Sequence, residues 1–129
     1  MLVNYTPLKK LRSEDKKHPH NSGIPDRAII VYCNKLRQLF KDSILAIGGI
    51  EASMRRFTHY DYWNNGLRKS ILFDSRANIL VYGSGEYQII EIADKLNQGK
   101  SIENIEGTCI VSNSVPKDFE IIPSHEEAS

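Results

Sequence analysis

Cysteine is scarce in this sequence: two residues in 129, Cys33 and Cys109. Two thiols 76 positions apart exclude a disulfide-stapled scaffold. No run of 18 apolar residues exists, which excludes a transmembrane helix and leaves no membrane partner to expect. The opening MLVNYTPLKK lacks an apolar core and a cleavage site, so no secretory signal is read there. No His, Cys, Asp and Glu residues cluster at metal-ligand spacing, so no metal site is expected within the chain. No Ser-His-Asp or Cys-His arrangement carries a local nucleophile signature. A reducing cytoplasm is the compartment these absences imply.

Charge is present but divided. Residues 1–76 hold 14 Lys and Arg against 7 Asp and Glu, a balance of +7. Residues 77–129 hold 3 against 9, a balance of −6. Such a split can draw an anion to one end, or it can be solvated surface with no partner.

Residues 1–23 read as a basic, flexible arm. Lys9, Lys10, Arg12, Lys16 and Lys17 are broken only by Glu14 and Asp15, and the stretch cannot bury enough apolar area to offset chain ordering. His18 and His20 in this arm read as solvated. Pro25 suits a first helical turn, Asp26 suits its dipole, and Ile29, Ile30, Cys33, Leu36, Leu39 and Phe40 recur at helical spacing. A helix is expected over 25–41, although Ile-Ile-Val-Tyr-Cys would also suit a short strand.

Two apolar runs, Ile44–Ile47 and Ile79–Tyr82, end in Gly48-Gly49 and Gly83-Ser84-Gly85. Short unbroken runs of this kind suit parallel strands buried on both faces. The residues between them are enough for a crossover, with its helix expected over Leu67–Phe73. After the second run a helix is expected, with Ser84 as cap, Glu86 in the positive first turn and Gly99 at its end. Thr108–Val111 suggests a further strand and Phe119–Ile122 another by pattern alone, and the polar tail has no closing element. The expected class is α/β, a partial parallel sheet with flanking helices. Two parallel strands are too few for a stable three-layer sheet, so the chain reads as part of a larger domain.

Ligands of open α/β sheets sit beyond the carboxyl ends of strands, where Gly48, Gly49, Gly83 and Gly85 would lie side by side. The third glycine of a dinucleotide fingerprint is missing, with Gln88 in its place. The densest polar and aromatic cluster is Glu51 to Trp63. Arg55 and Arg56 offer planar forks for an anion, His59 titrates near neutral pH with Asp61 available to orient it, and Phe57, Tyr60, Tyr62 and Trp63 offer stacking faces. The alternative is a structural loop in which Glu51 and Asp61 neutralise the two arginines. Glu86 reads as a helix-dipole residue rather than a ligand contact. Cys33 and Cys109 read as inert buried thiols. Binding of RNA carries less weight, because the chain is not basic overall and has no RNA-binding module signature.

The unbroken segment from Gly48 to Trp63 resembles the signature of the YgiQ-like radical SAM proteins, in the domain preceding their radical SAM barrel. The similarity continues through Arg68–Ala77, Leu80–Glu86, Pro25–Ala28 and Ile122–Glu127. It implies a partial Rossmann-like domain, similar to cobalamin-binding domains, over residues 24–112, and a linker toward a barrel over 113–129. It implies that a full-length parent binds a [4Fe–4S] cluster and S-adenosylmethionine on a Cys-x-x-x-Cys-x-x-Cys motif and performs radical chemistry on an unknown substrate. That motif is absent here, and so is the cobalamin signature Asp-x-His-x-x-Gly. The resemblance therefore implies a fragment that is not itself competent for catalysis, whose partner is the barrel of the same parent chain. The residues it places toward a ligand or the barrel are Gly48, Gly49, Glu51, Arg55, Arg56, His59, Asp61, Tyr62, Trp63, Gly83, Gly85 and Glu86. The alternative from another class is a non-catalytic module that binds a phosphorylated ligand or RNA.

Overall fold

A computed structural model describes residues 27–62 and 64–128. The expected arm, Pro25, Asp26 and Trp63 lie outside the described residues. The first element is helix α1, Ala28–Leu39, which decides between the two readings of Ile-Ile-Val-Tyr-Cys in favour of helix. It buries Cys33 and packs Ile29 and Ile30 against the same cluster. Arg27 precedes it without a side-chain cap. The exposed N–H of Ile29 donates instead to the Glu51 carboxylate at 3.3 Å, which supplies both an acceptor and a favourable charge at the helix start.

Strand β1, Ala46–Ile47, leads into helix α2, Gly49–Met54. Strands β2, His59–Asp61, and β3, Gly66–Arg68, form an antiparallel hairpin that pairs Tyr60 with Leu67. Helix α3, Ile71–Ser75, follows, then strand β4, Ile79–Val81, and helix α4, Glu86–Asn97. Strand β5, Thr108–Cys109, and a last turn of helix α5, His125–Ala128, complete the described chain.

The two apolar runs do pair in parallel, with Ala46 opposite Ile79 and Ile47 opposite Leu80. Asn78 sets this register: its N–H donates to the Leu45 carbonyl, and its Oδ1 accepts from the Leu45 N–H, both at 2.9 Å. The crossover differs from expectation. Leu67 and Arg68 belong to β3, and the helix begins only at Ile71, where the Ser70 hydroxyl accepts from Leu72 N–H and caps it. The sheet is also not wholly parallel. β5 lies antiparallel on the other side of β4, giving the order β1–β4–β5. The ten residues after α4 are long enough to return the chain to the same end of the sheet before it re-enters. Ile102 and Ile105 of this loop pack under the sheet as they pass.

Two smaller expectations are corrected. Ser84 does not cap α4; Gly85 occupies that position and no side chain caps the helix. Phe119–Ile122 is not a strand, and the tail does carry a closing helical turn. Gly99 ends α4 with φ 65°, as its position predicts.

β4 divides the core. Leu80 points into a cluster with Cys33, Leu45, Ile47, Ala52, Ile71, Leu72 and Ala77. Ile79 and Val81 point the other way, against Ile92 of α4 and Ile105. The result is a small mixed sheet with α1 and α3 on one face and α4 on the other. Gly85 has an ordinary negative φ, so alanine is not excluded there by backbone conformation. A Cβ at this position would nevertheless stand 2.7 Å from Val81 Cγ1, inside contact distance. Gly85→Ala should therefore destabilise the fold by about 1–3 kcal/mol through overpacking. In urea unfolding, Val81→Ala in the same chain should cost less than the two single changes added together, because it removes the clashing methyl.

Candidate functional site

The carboxyl ends of β1 and β4 come together as expected. A Cβ on Gly48 would lie 3.4 Å from the Val81 carbonyl oxygen, so the first glycine turn lies against the end of β4. Gly49 and Gly83 take φ of 82° and 73°, values that strain any residue with a Cβ. Between them, Ser53 Oγ at the end of α2 accepts from the Gly83 N–H at 3.3 Å. The Arg56 guanidinium donates to the Ser53 carbonyl at 2.6 Å. It also lies over the rings of Phe57 and Tyr82, 4.9 and 5.1 Å from their centroids. Ser53 and Tyr82 therefore join Gly48, Gly49, Arg56, Gly83 and Gly85 at this edge. Neither was singled out from the sequence, since a lone serine and a strand-end tyrosine carry no spacing signal. Glu86 is exposed in the first turn of α4, as its dipole role requires.

The other expected residues form a different arrangement. Asp61 is 1% exposed. Its Oδ2 receives Arg27 Nη2 at 2.6 Å and lies 3.6 Å from Arg68 Nη1. Arg68 Nη2 reaches Asp74 at 2.7 Å. Glu51 is also buried and pairs with Arg55 at 3.1 Å. The expectation that two carboxylates neutralise two arginines is half met: Glu51 does hold Arg55, but Asp61 takes Arg27 and Arg68 rather than Arg56. Arg55 and Asp61 are structural groups, committed to pairs inside the fold.

His59 Nδ1 lies 3.1 Å from the Phe57 carbonyl, while Asp61, two residues on and on the same face of β2, acts on the ring through its charge. Burial holds its imidazole below the ordinary value, opposed by the Phe57 carbonyl and reinforced by Arg55. Tyr62 follows Asp61 in the hairpin turn and is partly buried.

Comparison with known proteins places this geometry. The family model described as radical SAM N-terminal matches residues 1–129. The chain belongs to the radical SAM N-terminal family. A UPF0313 protein of Clostridium perfringens is 53% identical over 137 aligned positions, and one of Clostridium botulinum is 50% identical over 136. Each alignment covers all of this chain and 21% of the relative. This radical SAM N-terminal domain thus spans about a fifth of the length of the curated relatives it matches. No solved structure matches it.

The family name implies an iron–sulfur cluster, which is held by cysteine thiolates. The residues present do not fit one. The chain has only Cys33 and Cys109, both free, and burial pushes both thiols up, away from the thiolate form a cluster needs. Among the described residues no group of three His, Cys, Asp or Glu could hold a metal ion. Among them too, no helix is long and apolar enough to cross a membrane.

Three substitutions test these roles in this radical SAM N-terminal domain. Asp61→Ala leaves Arg27 and Arg68 without their buried counter-charge and should cost about 3–5 kcal/mol in urea unfolding. Arg68→Ala leaves Asp61 still paired with Arg27 and should cost about 1–2 kcal/mol. For His59, the unfolded chain takes up a proton first as pH falls past 6.5, while the fold still favours the neutral ring. Stability is thus lost as pH drops from 6.5 through the lower folded value. His59→Gln should flatten the stability-versus-pH curve in that window.

Proposed function

We propose that this chain is the accessory N-terminal domain of a radical SAM enzyme, with the carboxyl edge of its sheet turned toward the catalytic barrel or its substrate. The match to the radical SAM N-terminal family over residues 1–129 carries this reading. The share of the relatives' length left unspanned leaves room for a barrel. The parent would hold the [4Fe–4S] cluster and S-adenosylmethionine on that barrel, and act on a substrate whose identity the domain does not specify. Residues 24–112 form the Rossmann-like accessory unit in this reading, 113–129 the linker and 1–23 a basic arm, in a cytoplasmic protein.

The geometry narrows which residues could meet the barrel. Arg55, Asp61 and Glu51 are committed to buried pairs and serve to hold the hairpin. Gly48, Gly49, Gly83 and Arg56 lie at the open edge, where the stacked guanidinium is the charged group on offer. Such an edge suits recognition of a polar or anionic group, since a guanidinium held flat on aromatic rings is already ordered. The reading as a phosphate- or RNA-binding module gains little here. Arg27, Arg55 and Arg68 are spent in ion pairs, and Arg37 is bound to the carbonyls of Ser43 and Arg76.

The test uses the full-length parent, purified without oxygen and loaded with iron and sulfide. Reduction in the presence of S-adenosylmethionine should yield 5′-deoxyadenosine, and a cluster-loaded parent that forms none would sink the radical SAM reading. Arg56→Ala should slow deoxyadenosine formation about tenfold or more, the loss of one charge-assisted contact. The cluster's absorbance should stay unchanged. An unaltered rate would remove the carboxyl edge from the active assembly.

A further inference from the structure

We propose that the cavity between the β2–β3 hairpin, α3 and the tail binds a small aromatic ring compound carrying an N–H or O–H donor, with the His59 imidazole as the acceptor that orients it. The cavity measures about 610 Å³, a size ordinary for small-molecule sites. Three stretches far apart in the chain build it, residues 57–60, 67–73 and 122–128. Two contacts hold the tail wall against the others. Thr58 Oγ1 and His125 Nδ1 are 3.3 Å apart, and Lys69 Nζ reaches Glu126 at 3.1 Å. The tail also closes on itself: the Ser124 N–H donates to the Glu127 carboxylate at 2.7 Å, and the Glu127 N–H to the Ser124 hydroxyl at 3.2 Å. The hairpin wall is fixed by Asp61, whose carboxylate ties it to Arg27.

The aromatic lining sets the body of the ligand. Phe57, Tyr60 and Phe73 remain 49%, 57% and 56% exposed around this one concavity. Large apolar faces left open together mark an interaction site, and aromatic rings are favoured partners for such faces. His59 sets the polar group. Its Nδ1 lies 3.1 Å from the Phe57 carbonyl, which can only accept, so Nδ1 carries the hydrogen. Burial favours the neutral ring, and the neutral ring then holds its lone pair on Nε2. Nε2 is an acceptor, and a ligand N–H or O–H satisfies it. A carboxylate is the poorer match, since it brings no donor to Nε2 and meets the Glu126 charge in the tail wall.

The probes are indole and 1-methylindole, titrated by calorimetry into the full-length parent. They share one ring system and differ in the N–H. Indole should bind with a Kd on the order of 1 mM, and 1-methylindole about five- to tenfold more weakly, the worth of one hydrogen bond. His59→Phe should abolish the difference between the two. In the unaltered parent, which needs no variant to fold, indole should slow amide exchange at residues 57–60. Absence of indole binding overturns the proposal, and is also the result if the parent's own chain fills the cavity. Equal binding of the two probes, a preference for indole that survives His59→Phe, or protection confined to other parts of the parent overturns it equally. No readout involves turnover, so the outcome is independent of the radical SAM reading.

Discussion

The arrangement depends first on a carboxylate taken out of water. Asp61 is almost wholly buried, and a lone buried charge is costly by several kcal/mol. It is tolerated because Arg27 and Arg68 reach it from different parts of the chain. Arg27 stands at the entrance to α1, Arg68 ends the hairpin, and Asp74 on α3 holds Arg68 from its other side. Glu51 acts on the same helix from α2, accepting the Ile29 N–H and pairing with Arg55. Both buried carboxylates therefore converge on the start of α1, which has no side-chain cap of its own. Hairpins as short as β2–β3 are marginal alone. Here the hairpin is fixed by charge to two helices, and short strands become a rigid platform.

That use of charge alters what the net balance means. The excess of basic residues in the first 76 positions suggests a surface that draws anions. Three of the described arginines in that stretch instead face carboxylates within the fold, and Arg37 clamps the end of α1 onto the carbonyls of Ser43 and Arg76. Arg56 is held differently again, by a carbonyl and two aromatic rings. It brings its charge to the edge where the backbone also presents glycine turns.

The parts legible in advance were those set by local pattern. The apolar runs at 44–47 and 79–82, their parallel pairing, helix α4 and the left-handed Gly99 all follow from spacing and residue type. The hairpin was missed because its strands are three residues each, too short for a period to show, although Asn65-Gly66 stands where the chain turns back into β3. The sense of β5 was missed for a different reason. Direction depends on where a ten-residue loop carries the chain, which no local pattern records. The partners of Asp61 were misjudged because the nearest arginines in sequence, Arg55 and Arg56, were the natural guess. Arg27 lies 34 positions away, and only the folded chain brings it to 2.6 Å.

The same contrast between local and distant constraint explains why the glycine edge and the buried ion pairs occur together. A site made of backbone turns can be precise only if the turns cannot shift. Gly49 and Gly83 gain freedom by lacking a Cβ, and that freedom would blur any surface they form. Ser53 restrains it by binding the Gly83 N–H, and Ser53 is itself at the end of a helix whose Glu51 is anchored to α1. Position thus passes from the buried carboxylate, through six residues of α2, to the turn at the sheet edge. Loss of the Glu51 anchor would leave each hydrogen bond at the edge chemically possible but no longer held in register with its neighbour across the two strands.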